Sequence, residues 1–200
     1  MIKILCFGRS CKAYLRSYKE NSPDVKLCCE KCTHRLHKHG RYYRWVASKQ
    51  ELFHIPIYRW LCPVCGTTVS LLPDFLIPWA RFSTWVREAA MIRKRQGQSW
   101  RRIADGVTSA HIGLSPSTIK RWWNRALIKT ASVSLWVAEQ LVAAGCEEDL
   151  LRLLPKPVAA TSVDTLRWLD QLMQRFAPGR STLRGYWSFL NRLAGAFQYL

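Results

Sequence analysis

Acidic residues are scarce in this chain. Its 200 residues include 13 Asp+Glu against 31 Lys+Arg, a formal net charge of +18. Solubility asks for a net charge of only about 2–8 in a small domain. The excess points to a polyanionic partner, with nucleic acid ahead of an anionic membrane surface. Long hydrophobic runs are also missing. No stretch of about 18 apolar residues occurs, so no segment is expected to span a bilayer. The start, Met1–Arg9, is too short an apolar stretch for the hydrophobic region of a signal peptide. A cytoplasmic protein is therefore expected, with its eight cysteines reduced. Disorder is excluded by 48% hydrophobic and 12% aromatic residues.

The charge is uneven. Residues 1–129 hold 24 Lys+Arg and 7 Asp+Glu, or +17, whereas residues 130–200 hold 7 and 6, or +1. The field that seeks a polyanion thus belongs to the first two thirds of the chain.

Seven cysteines precede residue 66. Cys29-Glu30-Lys31-Cys32 and Cys62-Pro63-Val64-Cys65 are CxxC pairs separated by residues 33–61. A CxxC turn converges two sulfurs on one point, and two pairs supply four thiolates for tetrahedral Zn²⁺. Gly66 permits a positive φ directly after the second pair. Disulfides fit the compartment poorly, and a redox dithiol does not explain two separate pairs. Cys28 could replace Cys29 in a CxxxC variant. His34, His37 and His39 do not match C2H2 spacing and read as polar surface. Cys6, Cys11 and Cys146 have no partner pattern and read as free thiols.

The segment between the pairs reads as a hairpin. Phe53, Ile55, Ile57, Arg59 and Leu61 alternate with His54, Pro56, Tyr58 and Trp60, which is period two. Residues 41–46 supply a partner strand and 47–52 the turn, while Pro56 implies an edge or a bulge. Such a sheet is too slight to fold alone, so metal should contribute much of its stability.

Residues 83–129 read as three helices. The first runs from Ser83 or Thr84 to before Gly97 and ends on Arg93-Lys94-Arg95, where cations complement the helix dipole. The second has Ser99 as N-cap and an apolar stripe of Trp100, Ile103, Ala104 and Val107. The third has Ser115 as N-cap and Pro116 at its first position. On a helical wheel Ile119, Trp122, Trp123 and Ala126 share one side. Ser117, Lys120, Arg121, Asn124 and Arg125 share the other, with Thr118 at its border. That outward face has hydroxyls, an amide and cations but no carboxylate, the set that bonds base edges and phosphates in a major groove. With Arg41 and Arg44 on the basic strand and Arg101 and Arg102 outside the second stripe, these form the expected DNA contacts. The helix pair is similar to helix-turn-helix modules of the transposase and repressor type.

Beyond Lys129 the pattern is helical. Val133–Ala144 and Glu147–Leu154 read as short helices broken at Gly145. Leu169, Leu172, Met173 and Phe176 stripe another behind Ser162, and Leu183, Trp187, Leu190, Ala194 and Phe197 stripe a last one. This near-neutral region is expected to close against the DNA-binding part or to form a homodimer or partner interface.

Taken together, Cys29 to Arg125 resembles the zinc-ribbon and helix-turn-helix front end of bacterial insertion-sequence transposases, and short bacterial proteins that keep only that region. Cys62-Pro63-Val64-Cys65-Gly66 and Leu71-Leu72-Pro73-Asp74-Phe75-Leu76-Ile77-Pro78 are the most specific parts of the match. The resemblance implies sequence-specific duplex-DNA binding, with Cys29, Cys32, Cys62 and Cys65 as Zn²⁺ ligands. Such transposases continue into a catalytic domain with three metal-binding carboxylates. Here Glu139, Glu147, Glu148, Asp149, Asp164 and Asp170 fall in helical or linker sequence, without the strands that would hold a two-metal site.

The expected protein is α+β: an N-terminal extension (1–24), a zinc ribbon (25–72), a helix-turn-helix (73–130) and a helical module (131–200). It would be a nucleoid-associated binder without catalysis and without a small-molecule substrate. The alternatives are a truncated transposase working in a complex, or an RNA-binding ribbon that stacks bases on Tyr42, Tyr43, Tyr58 and Trp60.

Overall fold

A computed structural model describes residues 1–7 and 10–143, together with Gly145, Gln171 and Asn191. The architecture is α+β, a small mixed four-stranded sheet with helices. The chain divides into two compact units, one holding Met1–Val86 and Asn191, the other starting at Arg87.

In the first unit the strands are β1 (Ile2–Leu5), β2 (His37–Ala47), β3 (Leu52–Leu61) and β4 (Thr68–Pro73), in the spatial order β1-β4-β3-β2. The alternating segment does form β3, and its hairpin with β2 pairs His37 with Leu61 through to Ala47 with Leu52. Ser48 N–H bonds the Glu51 carbonyl across the turn at 2.9 Å. A register shift between Lys38 and Gly40 marks a bulge in β2, which sharpens local twist.

The expected N-terminal extension contains two elements of this unit, β1 and a helix. β1 pairs in parallel with β4, Ile2 opposite Ser70. Helix α1 (Cys11–Tyr18) starts at Ser10, whose hydroxyl accepts from Ala13 N–H. Tyr14 of α1 is fully buried and donates its hydroxyl to the Pro56 carbonyl at 2.9 Å. This explains how a proline is tolerated in a strand with neighbours on both sides. The pairing of β3 with β4 begins only at Tyr58, so at Pro56 that flank of β3 has no ladder, and Tyr14 takes up the carbonyl there.

The core of this unit is assembled from Tyr14, Ile55, Ile57, Trp60, Leu71, Leu72, Phe75 and Leu76. The Leu71–Ile77 stretch is therefore core, and Asp74 N–H bonds the Leu5 carbonyl at 2.9 Å. Asn191 donates its side-chain amide to the Asp74 and Leu76 carbonyls at 2.9 and 2.7 Å.

Helix α2 (Thr84–Arg95) begins in the first unit, where Trp85 stacks on Phe75 at 5.1 Å, and continues in the second. There α3 (Trp100–Val107) has the expected Ser99 cap, accepting from Arg102 N–H. Ile103, Ala104 and Val107 are buried as the stripe requires. A 3₁₀ turn over Ala110–Ile112 and Gly113 at a φ of 64° lead into α4 (Pro116–Ala143).

The sequence suggests two helices over 116–144; the structure has one, bent by 45° between Pro116–Thr130 and Ser132–Ala143. No Gly or Pro interrupts Lys129–Val133, so the helix carries on. The Thr130 hydroxyl donates back to the Ala126 carbonyl, an arrangement that bends helices without ending them. Gly145, at a φ of 75°, is where the helix stops. The helices expected over 147–154 and around 162–176 and 183–197 lie outside the described residues except for Gln171 and Asn191, as does Cys146. Among the described residues no single helix is long and apolar enough to cross a membrane.

Candidate metal centre and exposed cationic face

The four predicted sulfurs meet. Sγ atoms of Cys29, Cys32, Cys62 and Cys65 all lie within 4.8 Å of one another. Cys29 and Cys65 approach to 3.5 Å, and Cys32 and Cys62 to 3.4 Å. A tetrahedral site with metal–sulfur bonds of about 2.3 Å needs sulfurs about 3.8 Å apart, so the quartet is close to a closed four-thiolate cage. It can hold a metal ion.

Two matching turns build the cage. Thr33 N–H bonds the Cys29 carbonyl at 2.9 Å, and Gly66 N–H bonds the Cys62 carbonyl at 3.0 Å. Cys29 N–H bonds the His34 carbonyl at 2.8 Å, and Cys62 N–H bonds the Thr67 carbonyl at 2.9 Å. The residue after each second cysteine is left-handed: Thr33 at a φ of 60° and Gly66 at 68°. Gly66 was legible in the sequence; Thr33 was not, since a β-branched residue is strained there. Cys28 is exposed and outside the quartet, which resolves the choice in favour of Cys29. His34 turns its ring Nδ1 onto the Cys32 carbonyl at 2.8 Å.

The thiols differ in acidity. Hydrogen bonds from the Thr67 hydroxyl and backbone bring Cys65 down to about 6. The backbone N–H of His34 pulls Cys32 down, but its neighbouring sulfurs and burial outweigh this and push it up to about 12. Four thiolates cannot coexist at these distances without a cation, so a metal that binds here displaces protons. Cys11 is elsewhere in the core, and burial raises its thiol to about 12.

The expected DNA contacts fall into two groups. Arg41 and Arg44 are engaged within the first unit. Arg41 donates to the Lys19 carbonyl at 2.9 Å and pairs with Glu20 at 3.6 Å. Arg44 donates to the Ala80 carbonyl at 2.6 Å, and burial lowers its pKa. Both cations tie loops to β2.

Arg101, Arg102, Ser117, Lys120, Arg121, Asn124 and Arg125 of the second unit are all exposed, and Thr118 is half-buried. Ile119, Trp123 and Ala126 are buried opposite them. Trp122, expected on the inward side with them, is half-buried. Trp123 meets Trp100 edge to face at 6.3 Å, which locks α4 to α3. Arg87 lies 4.9 Å over the Trp122 ring, and Lys94 lies 4.1 Å over Trp100. Ser115 accepts from Thr118 N–H at 3.2 Å, as the predicted N-cap. The Arg121 guanidinium donates to the Thr118 hydroxyl at 3.3 Å and is held along the exposed face.

Residues 29–122 match a family model described as a domain of unknown function, DUF6431. The matched stretch runs from the first cysteine of the quartet to the first turns of α4, so it takes in the cage and all of β2 to α3. No curated protein and no solved structure matches the chain.

Proposed function

We propose that this chain is a zinc-containing, sequence-specific duplex-DNA-binding protein, in which the cysteine quartet organises a ribbon and α3 and α4 act as a helix-turn-helix. The observation that carries the reading is the exposed face of α4. Ser117, Lys120, Arg121, Asn124 and Arg125 are solvent-facing, and no carboxylate interrupts them. Arg and Asn are the side chains that make bidentate bonds to guanine and adenine edges, while Lys and Ser reach phosphates. The +17 carried by residues 1–129 supplies the field that draws DNA in. Zinc is the ion suited to four thiolates in a closed cage, and there its role is structural. The resemblance to transposase front ends supports the same reading, with the protein serving as a regulator or accessory factor in the cytoplasm rather than as a strand-transfer enzyme.

Selection of bound duplexes from a random pool, with and without a zinc chelator, tests this. The expected result is a consensus that disappears on chelation. A pool that stays random would overturn the duplex reading. A consensus that survives chelation would remove zinc from it. Metal-dependent nicking of DNA by the pure protein would replace the binder with an enzyme.

A further inference from the structure

The first unit carries a second surface that the α4 face does not explain. On the hairpin of β2 and β3, the His54 ring stacks against Tyr43 at 4.8 Å and against Trp45 at 4.6 Å. The Arg41 guanidinium lies 5.5 Å from the Tyr43 centroid. The result is a ladder of guanidinium, phenol, imidazole and indole along one strand face. It is open to solvent: Tyr43 is 44% exposed and Trp45 56%.

Trp79 adds to it. The Ala80 N–H bonds the Ile77 carbonyl at 3.1 Å, closing a turn with Pro78 and Trp79 at its centre. Trp79 has a φ of 63°, the place a type II turn reserves for glycine, and its side chain is 83% exposed. A strained backbone that projects a bare indole into water has no packing rationale. The turn is fastened to the edge of β2, by Arg44 to the Ala80 carbonyl and by Ala47 N–H to the Arg81 carbonyl at 2.8 Å, at the strand positions that flank Trp45. Next to the ladder, an open groove of about 300 Å³ is lined by Lys38, His39, Arg41 and Arg59, with Glu20 the one carboxylate.

We infer that this edge of the first unit binds an unpaired DNA strand, with bases stacking on Trp45 and Trp79 and phosphates following the groove that Lys38 and Arg59 line. The outer side of Trp45 and the bare Trp79 indole offer ring faces rather than hydrogen-bond edges, so they suit bases freed from a duplex. The surrounding cations complement a phosphate backbone and select against an acidic or neutral apolar partner. Of the four rings named for the alternative RNA-binding ribbon, Tyr58 and Trp60 are buried, and Tyr42 and Tyr43 are exposed. The choice of DNA over RNA rests on the duplex reading proposed above; the stacking does not.

The test is fluorescence anisotropy of the zinc-loaded full chain with a labelled twelve-nucleotide oligo-dT, an oligo-U of equal length, and a selected duplex. Trp79→Gly and Trp45→Ala should each weaken oligo-dT binding at least about fivefold and leave duplex binding unchanged. Lys120→Ala/Arg121→Ala should do the reverse. Trp79→Gly should melt no lower than wild type, because glycine relieves the left-handed backbone; this separates lost stacking from lost fold. Oligo-dT binding unchanged in both tryptophan variants would overturn the inference, as would equal losses on strand and duplex. Preference for oligo-U by tenfold or more would overturn the assignment to DNA. A duplex that never shows selectivity, with the tryptophan effect intact, would count against the duplex reading alone.

Discussion

Exchanging the residues after the two CxxC pairs tests how backbone geometry sets metal affinity. Thr33 and Gly66 occupy equivalent positions, at φ values of 60° and 68°. A Cβ added at Gly66 meets nothing within 4 Å, so Gly66→Ala perturbs only the backbone preference. An L-residue in this region costs about 1–2 kcal/mol, of which about 0.4–1 kcal/mol is recovered because alanine has less freedom to lose on ordering. The net penalty is about 1 kcal/mol, or roughly fivefold in affinity if the turn is ordered by the metal. Thr33→Gly should change affinity in the opposite direction by a similar amount. The exposed bond from its hydroxyl to the Cys32 carbonyl offsets part of that gain. Competition with a chromophoric zinc chelator measures both variants. Should Gly66→Ala bind as tightly as wild type and Thr33→Gly no more tightly, with melting temperatures unmoved, the left-handed positions would have no part in shaping the cage.

Three further outcomes are expected. Tyr14→Phe keeps the ring contacts with Phe7, Tyr18 and Phe75 but leaves the buried Pro56 carbonyl without its donor; chemical denaturation should show a loss of about 1–3 kcal/mol, and an unchanged midpoint would refute the account of how Pro56 is accommodated. Cys11, with its thiol raised to about 12, holds only about one thiolate in 10⁴ at pH 8. Native alkylation followed by mass spectrometry should label exposed Cys28 and spare Cys11. Its folded pKa lies above the unfolded value, so the stability contributed by the neutral thiol is present below about pH 9 and is lost as pH rises towards 12. Finally, Lys120→Ala should reduce the salt slope of duplex binding by about 1, while Arg121→Ala should cost about 1–3 kcal/mol on the selected sequence and relax preference at one base pair. Equal weakening on every sequence would make Arg121 a phosphate contact.

How much of this was legible from residues depends on the range of the interactions. The caps at Ser99 and Ser115 and the burial of Ile119, Trp123 and Ala126 on α4 follow from local spacing, and the structure agrees with each. The cysteine quartet was readable for the same reason, since each CxxC turn is a local motif. What escaped was non-local. Ile2-Lys3-Ile4-Leu5 is too short to announce a strand, and its partner is β4, far along the chain. Arg41 and Arg44 look like surface cations from their neighbours in sequence; only the folded loops supply the Lys19 and Ala80 carbonyls that engage them. The aromatic alternation on the hairpin was visible, but not which rings α1 and the core would cover. The extended sheet also changes the expectation for metal dependence. With a core running from Tyr14 to Phe75, the unit has more to hold it than the cage alone.

The parallel pairing of β1 with β4 has a consequence for the order of folding. Ile2 leaves the ribosome long before Ser70, its partner across the ladder. Between them the hairpin of β2 and β3 and both cysteine turns can form from local contacts, which close quickly. During that interval β1 is a free edge segment, and β4 has one side open when it arrives. Synthesis speed across residues 62–73 should therefore govern yield more than the strength of any single contact, because a delay there prolongs the exposure of an unpaired strand edge.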